Sequence, residues 1–239
     1  MCNRSFSIDF LKAVVIFGVV FIHGASCLGC GSEFSDFMRK IFRFGVPCFI
    51  VIWAYFVEKS LITKDKPQQY KYLKKRFVHL IIVFLFWSLL HFFLTADLQG
   101  LTLTKIITMH LSGYGWAGQY FFIILFQLIM LFPLFRMLYV NKVLRYTIYL
   151  LSGLLYFIYA YAGDLPNFVD KLGDRPFVFW IPYVFIGMTL AQGKIVKLSY
   201  WWLFLVLLIP KYFYYESVSY QNNIQNIPFR YYVQLHNYW

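Results

Sequence analysis

An all-α polytopic bundle of transmembrane helices is the fold class this chain predicts, and three observations carry the prediction. Of its 239 residues, 61% are hydrophobic and only 13% are charged. A soluble domain of this length has too little interior to hide that much apolar surface. The apolar residues come in runs of about 20, the length that crosses a hydrocarbon core of about 30 Å. The charges cluster between those runs and divide unevenly between the two sides.

Seven runs reach spanning length, over 8–30, 42–62, 77–95, 118–140, 145–163, 177–193 and 198–216. With the N-terminus cytoplasmic, the inner segments hold 14 of the 22 basic residues and three of the ten acids, Asp9, Glu58 and Asp65. The outer segments hold the remaining eight and seven. Excess Lys and Arg on the cytoplasmic side sets the orientation. The net charge of +12 is therefore assigned to topology and lipid headgroups rather than to nucleic acid.

The first run carries Asp9, Lys12 and His23. It is long, charged and lacks a small-residue cleavage site, so it is expected to remain as a helix rather than leave as a signal peptide. Between the second and third runs lies the longest cytoplasmic loop, Thr63–Arg76, whose end at Tyr72–Arg76 begins the third helix. It gathers Lys64, Lys66, Lys71, Lys74, Lys75 and Arg76 around Pro67. Before the fourth run, Thr102–Leu111 reads as an amphipathic surface segment, and glycines at 113, 115 and 118 permit tight bends. Pro47, Pro133, Pro182 and Pro210 lie in or near spans and are expected to kink them for packing. Tyr200, Trp201, Trp202, Tyr212, Tyr214 and Tyr215 form an interfacial belt. The chain thus divides into a membrane domain, 1–216, and a polar tail or truncated remainder, 217–239, with no apolar run long enough to cross.

Ionisable side chains inside a span are costly and mark functional sites by default. At about 100° per residue, Lys12 and His23 fall within roughly 20° of each other on the helical wheel, and Asp9 lies about 40° to the other side of His23. One stripe therefore runs from an ammonium near one membrane face to an imidazole about 16 Å deeper. Each member also has a plainer role. Lys12 could snorkel to the interface, His23 could bond a neighbouring helix, and Lys71–Arg76 could anchor topology. Cys27 and Cys30 form a C-x-x-C pair, whose functional reading would be a disulfide or a metal clip and whose plainer, preferred reading is two small apolar side chains. No second pair completes a zinc set, and no metal is expected. A Walker loop, an H-E-x-x-H helix and a nucleophile elbow are all absent from the sequence.

The stretch Arg4-Ser-Phe-Ser-Ile-Asp9-Phe-Leu-Lys12, followed by an apolar run to His23, resembles the opening of the acyltransferase-3 family of integral membrane acyltransferases. In that family a basic residue stands eleven positions before the histidine. Further matches follow in order at Phe44-Gly-Val-Pro47-Cys-Phe49, at Lys75-Arg76-Phe-Val-His79-Leu, and from Gln119-Tyr-Phe121-Phe122 through Pro133, so the resemblance covers residues 4–135. There are departures. Trp53-Ala54 stands where Ser-Gly is common, His79 where a second Arg is usual, and seven spans are counted where the family has about ten.

The resemblance implies transfer of an acetyl or other short acyl group from acyl-coenzyme A to a hydroxyl of a surface polysaccharide or its lipid-linked precursor, in a bacterial inner membrane. It implies His23 as general base or transient acyl acceptor. Asp9, Lys12 and Arg76 become substrate-binding residues, the two cations meeting the phosphates of the coenzyme. Acetyl-coenzyme A is then a co-substrate, with no bound cofactor, and the partners are the bilayer, the acyl donor and the glycan acceptor. The alternative is a polysaccharide export component or a catalytically inactive truncated relative, in which the stripe lines a passage without chemistry. His79, His91, His110 and His236 receive no role.

Overall fold

The computed structural model describes residues 6–27, 42, 44–95, 102, 104, 107, 110, 113, 115–116, 118–161, 173 and 175–193, all within one unit, Met1–Ile195. Among these residues the chain is all-helical, with no strand. The order is α1 (Phe6–Cys27), α2 (Gly45–Ile62), α3 (Lys66–Thr95), α4 (Gln119–Val140), α5 (Lys142–Tyr161), a 3-10 turn (Phe177–Phe179) and α6 (Ile181–Ala191). The expected span 198–216, the tail 217–239, most of Thr102–Leu111 and the Cys30 half of the C-x-x-C pair lie outside the described residues.

Local chemistry explains where the helices begin. Asp65 caps α3, its Oδ1 accepting the Gln68 N–H at 3.0 Å, and Pro67 occupies the second helical position, where no intrahelical donor is lost. Only Thr63–Asp65 separate α2 from α3. This corrects the expected loop Thr63–Arg76: eleven of its residues are helix, because the Asp-x-Pro start signal outweighs the lysine run, whose long side chains are accommodated on an exposed face. Asn141 alone joins α4 to α5, its Oδ1 accepting from Val143 N at 2.9 Å and Leu144 N at 3.3 Å. Gly118 precedes α4 at φ +88°, a conformation that favours glycine.

α2 sits at the centre. Its Ile50, Ala54, Val57 and Leu61 join Ile124, Leu128 and Phe132 of α4 and Val184, Phe185 and Met188 of α6 in one buried cluster. In lipid such burial gains little from water exclusion, so the fit itself must hold the helices together. At Gly187 of α6 a Cβ would stand 2.5 Å from the Val51 carbonyl oxygen and 2.7 Å from Ala54 Cβ. Backbone meets backbone there because both helices present small residues. Phe77 and Phe84 of α3 pack against Phe126 of α4 with ring centroids 5.6 and 5.5 Å apart. On the other face of α3, Ile82, Phe86, Leu89 and Phe93 are all exposed at helical spacing, an apolar stripe suited to lipid tails.

Three helices among the described residues are long and apolar enough to cross a membrane: Gly45–Ile62, Lys66–Leu94 and Gln119–Val140. The helices at the expected spans 8–30 and 145–163 are not among them, and neither is the expected span 177–193. It folds as the 3-10 turn followed by the 11 residues of α6, about 16 Å of helix. The approach to α6 is held by side chains: Gln127 Nε2 donates to the Arg175 carbonyl at 3.2 Å, its Oε1 accepts from Phe177 N at 3.1 Å, and the Ser152 hydroxyl donates to the Val178 carbonyl. Pro182 lies at the start of α6 and Pro47 third in α2. Both are first-turn prolines rather than the expected kinks, and of the described members of this set Pro133 alone stands in a helix interior; Pro210 lies outside the described residues.

Candidate functional site

The stripe on α1 is realised in part as an inward edge. Asp9 and Lys12 pair at 3.3 Å, and the Lys12 ammonium lies 4.5 Å from the centre of the Phe56 ring on α2, a cation–π contact. One turn further, Val15 is fully buried. Val15 and Val19 both lie against Gly45, where a Cβ would meet their methyl groups at 3.5 and 3.2 Å. Lys12, Val15, Val19 and His23 share this side of the helix, which docks on α2. His23 lies beyond the first residue of α2 along that edge and is exposed. The ammonium and the imidazole are thus not in mutual contact: Lys12 lies at one end of α1 and His23 towards the other.

Arg76 stands on α3. Its Nε donates to Tyr72 Oη at 3.2 Å, and its guanidinium lies 5.2 Å from the centre of the same ring. Lys64 Nζ approaches that ring too, at 5.3 Å. Tyr72, Lys75, Arg76 and His79 line a concavity of about 330 Å³. Tyr72, Lys75, Arg76 and His79 occupy positions i, i+3, i+4 and i+7 of one helix face, so a single wall carries a fixed cation, a second ammonium, an imidazole and an aromatic. No hydrogen bond or ion pair among the described residues joins Arg76 to Lys12 or His23. His79 enters the site here although the sequence reading gave it no role; its i+3 spacing from Arg76 was the available signal.

Two polar clusters had no place in the sequence reading. At the end of the bundle where α1 begins, Glu58 of α2 is buried and pairs with Arg136 of α4, Nε to Oε2 at 2.9 Å. Arg136 Nη1 also donates to Gln69 Oε1 of α3 at 2.8 Å. Gln69 Nε2 in turn donates to the carbonyls of Lys64 at 2.7 Å and Leu61 at 3.2 Å. Three helices and the α2–α3 turn are thereby tied to one ion pair. Nearby, Tyr139 Oη and Thr189 Oγ1 join α4 to α6 at 2.9 Å.

At the opposite end, Gln119 is fully buried. Its Oε1 accepts from Gly115 N at 2.6 Å, and its Nε2 donates to Ser88 Oγ at 3.0 Å and lies 2.7 Å from His110 Nδ1. Trp116 Nε1 donates to the same Ser88 hydroxyl at 3.3 Å. Since the amide nitrogen can only donate, His110 Nδ1 accepts and the ring is neutral. Burial, and secondarily the neighbouring His91, hold the His110 pKa below the ordinary histidine value. Gly115 is required by space: a Cβ would stand 2.5 Å from the His110 ring.

A family model described as an acyltransferase domain matches residues 5–234, nearly the whole chain and well past the stretch over which the motifs are legible. The chain belongs to the acyltransferase-3 family, whose chemistry is acyl transfer at a membrane. No curated protein and no solved structure matches it.

Proposed function

We propose that this acyltransferase-3 protein is a multi-pass protein of the bacterial inner membrane, N-terminus cytoplasmic, that moves an acetyl or other short acyl group from acyl-coenzyme A to a glycan hydroxyl. The acceptor is an exported polysaccharide or its lipid-linked precursor. The observation that carries the reading is the cationic concavity of Tyr72, Lys75, Arg76 and His79, on the first turns of a helix whose later turns are apolar. Arg meets phosphate oxygens in fork geometry and Lys as a point charge, which suits the phosphate-rich head of coenzyme A. Lys12, paired with Asp9, lies at the same end of the bundle.

In the reaction the acceptor oxygen forms a bond to the thioester carbonyl carbon and the carbon–sulfur bond breaks. His23 takes the hydroxyl proton, and the proton then passes to the departing coenzyme A thiolate. In the covalent variant His23 first accepts the acyl group and then yields it to the hydroxyl.

Membranes carrying the wild-type chain or His23→Ala, supplied with radiolabelled acetyl-coenzyme A, test this directly. General acid–base catalysis contributes about 10²–10⁴-fold, so label reaching glycan should fall at least about a hundredfold in the variant, with insertion unchanged. Retained label removes His23 from the chemistry. No label from either chain removes acyl transfer from coenzyme A.

A further inference from the structure

The buried ion pair of α2 and α4 does more than staple two helices, because its bonds lead to the concavity. Arg136 holds Glu58 on one side and Gln69 on the other. Gln69 spends both amide hydrogens on the carbonyls of Leu61 and Lys64, the residues that flank the close of α2. The turn so fixed carries Lys64, whose ammonium donates to the Ser60 carbonyl at 2.7 Å and lies against one ring, Tyr72. That ring is the platform on which Arg76 rests, by stacking and by the Nε–Oη hydrogen bond.

Each link has a direction. Glu58 is almost wholly buried, while the Arg136 side chain keeps 27% of its surface, so the carboxylate fixes the guanidinium rather than the reverse. Gln69 sits on α3 one turn before Tyr72 and about two turns before Arg76, on the same helix. Holding Gln69 therefore sets the rotation of α3 about its axis, and with it the direction in which Arg76 and Lys75 face. Arg136 and Glu58 are not among the residues lining the concavity, so they act on it only through Gln69 and the turn.

We propose that Glu58, Arg136 and Gln69 are positioning residues for the acyl-donor wall at Tyr72–His79, setting its affinity for the phosphate-bearing head of the donor without touching the reacting atoms. The proposal rests on the donor reading of that concavity given above.

Gln69→Leu separates it from mere helix stapling, because this variant cuts the relay and leaves the Glu58–Arg136 pair whole. The full-length protein in lipid nanodiscs is titrated with coenzyme A by calorimetry, alongside Arg76→Gln, Arg136→Gln and Arg136→Lys. Acetyl transfer is followed in parallel to separate KM for acetyl-coenzyme A from kcat. Thermal unfolding checks each variant for folding. The expected result is a five- to twentyfold weaker Kd and higher KM in Gln69→Leu, kcat within about twofold of wild type, and a partial return of affinity in Arg136→Lys relative to Arg136→Gln. Folded Gln69→Leu protein that binds coenzyme A as tightly as wild type overturns the positioning role while the donor reading stands. Wild-type protein that binds no coenzyme A overturns both. If Arg136→Gln fails to fold, Gln69→Leu alone decides.

Discussion

The two ends of the bundle are both built around a buried polar side chain, yet they solve the burial problem in opposite ways. Where α1 begins, Glu58 and Arg136 bring full charges together, backed by Lys12 over Phe56 and the cationic face of α3. At the far end, Gln119, Ser88, His110 and Trp116 form a net of neutral donors and acceptors, and between the two ends the core is apolar. A charged pair has few tolerable alternatives once one member is lost, whereas a neutral net loses its bonds one at a time. The difference leaves the positive charge proposed to meet the donor's phosphates at one end. The other holds the approach to α4, the Gly115–Gly118 stretch, tightly against α3.

This contrast can be broken most severely at the charged end. Glu58→Ala strands Arg136, and unfolding in detergent should show a loss of about 3–5 kcal/mol. Adding Arg136→Met, which removes the orphan charge, should recover most of it. A single variant as stable as wild type would show that Arg136 has another outlet.

Gln119→Leu probes the neutral end. It leaves the Gly115 N–H and His110 Nδ1 unmet, and Ser88 Oγ with Trp116 alone, a loss of about 1–3 kcal/mol. A loss matching that of Glu58→Ala would erase the distinction drawn between the ends.

The smallest effect is a pH dependence. With its folded pKa lowered, His110 binds a proton less readily in the folded chain than in the unfolded one. Its contribution is whole above the ordinary value of about 6.5 and declines as pH falls from there through the lowered folded pKa. Melting followed from pH 7.5 down to 5.5 should decline more steeply in wild type than in His110→Gln. Parallel curves would mean that the imidazole does not feel the Gln119 amide.

Apolar length made the cores of α2, α4 and α5 legible in the sequence, since spanning runs and helices coincide there within a few residues. The start of α3 was legible too, in Asp65-Lys66-Pro67-Gln68, but the surrounding lysines outweighed it in a reading built on hydropathy. The 177–193 run shows the limit of counting apolar residues. Its composition suits a span, yet Pro176, Pro182 and the bonds from Gln127 and Ser152 divide it. Lys12 and Arg76 stand out by their charge within or beside an apolar run. Glu58 and Arg136 were counted only as topological charges, because the number of charges on a side says nothing about which two meet. His110 and Gln119 depend on a loop folding back onto a helix end, a contact without any periodic signature.

The length of α3 has a mechanical consequence. Thirty residues make a rod of about 45 Å, longer than a hydrocarbon core of about 30 Å, and the Tyr72–His79 wall proposed for the acyl donor lies on the turns nearer one tip. Thinner or thicker bilayers are met by tilting such a rod, so the wall rises or sinks with the lean of the whole helix. Acyl-chain length of the surrounding phospholipids therefore becomes a dial on how deep that wall sits.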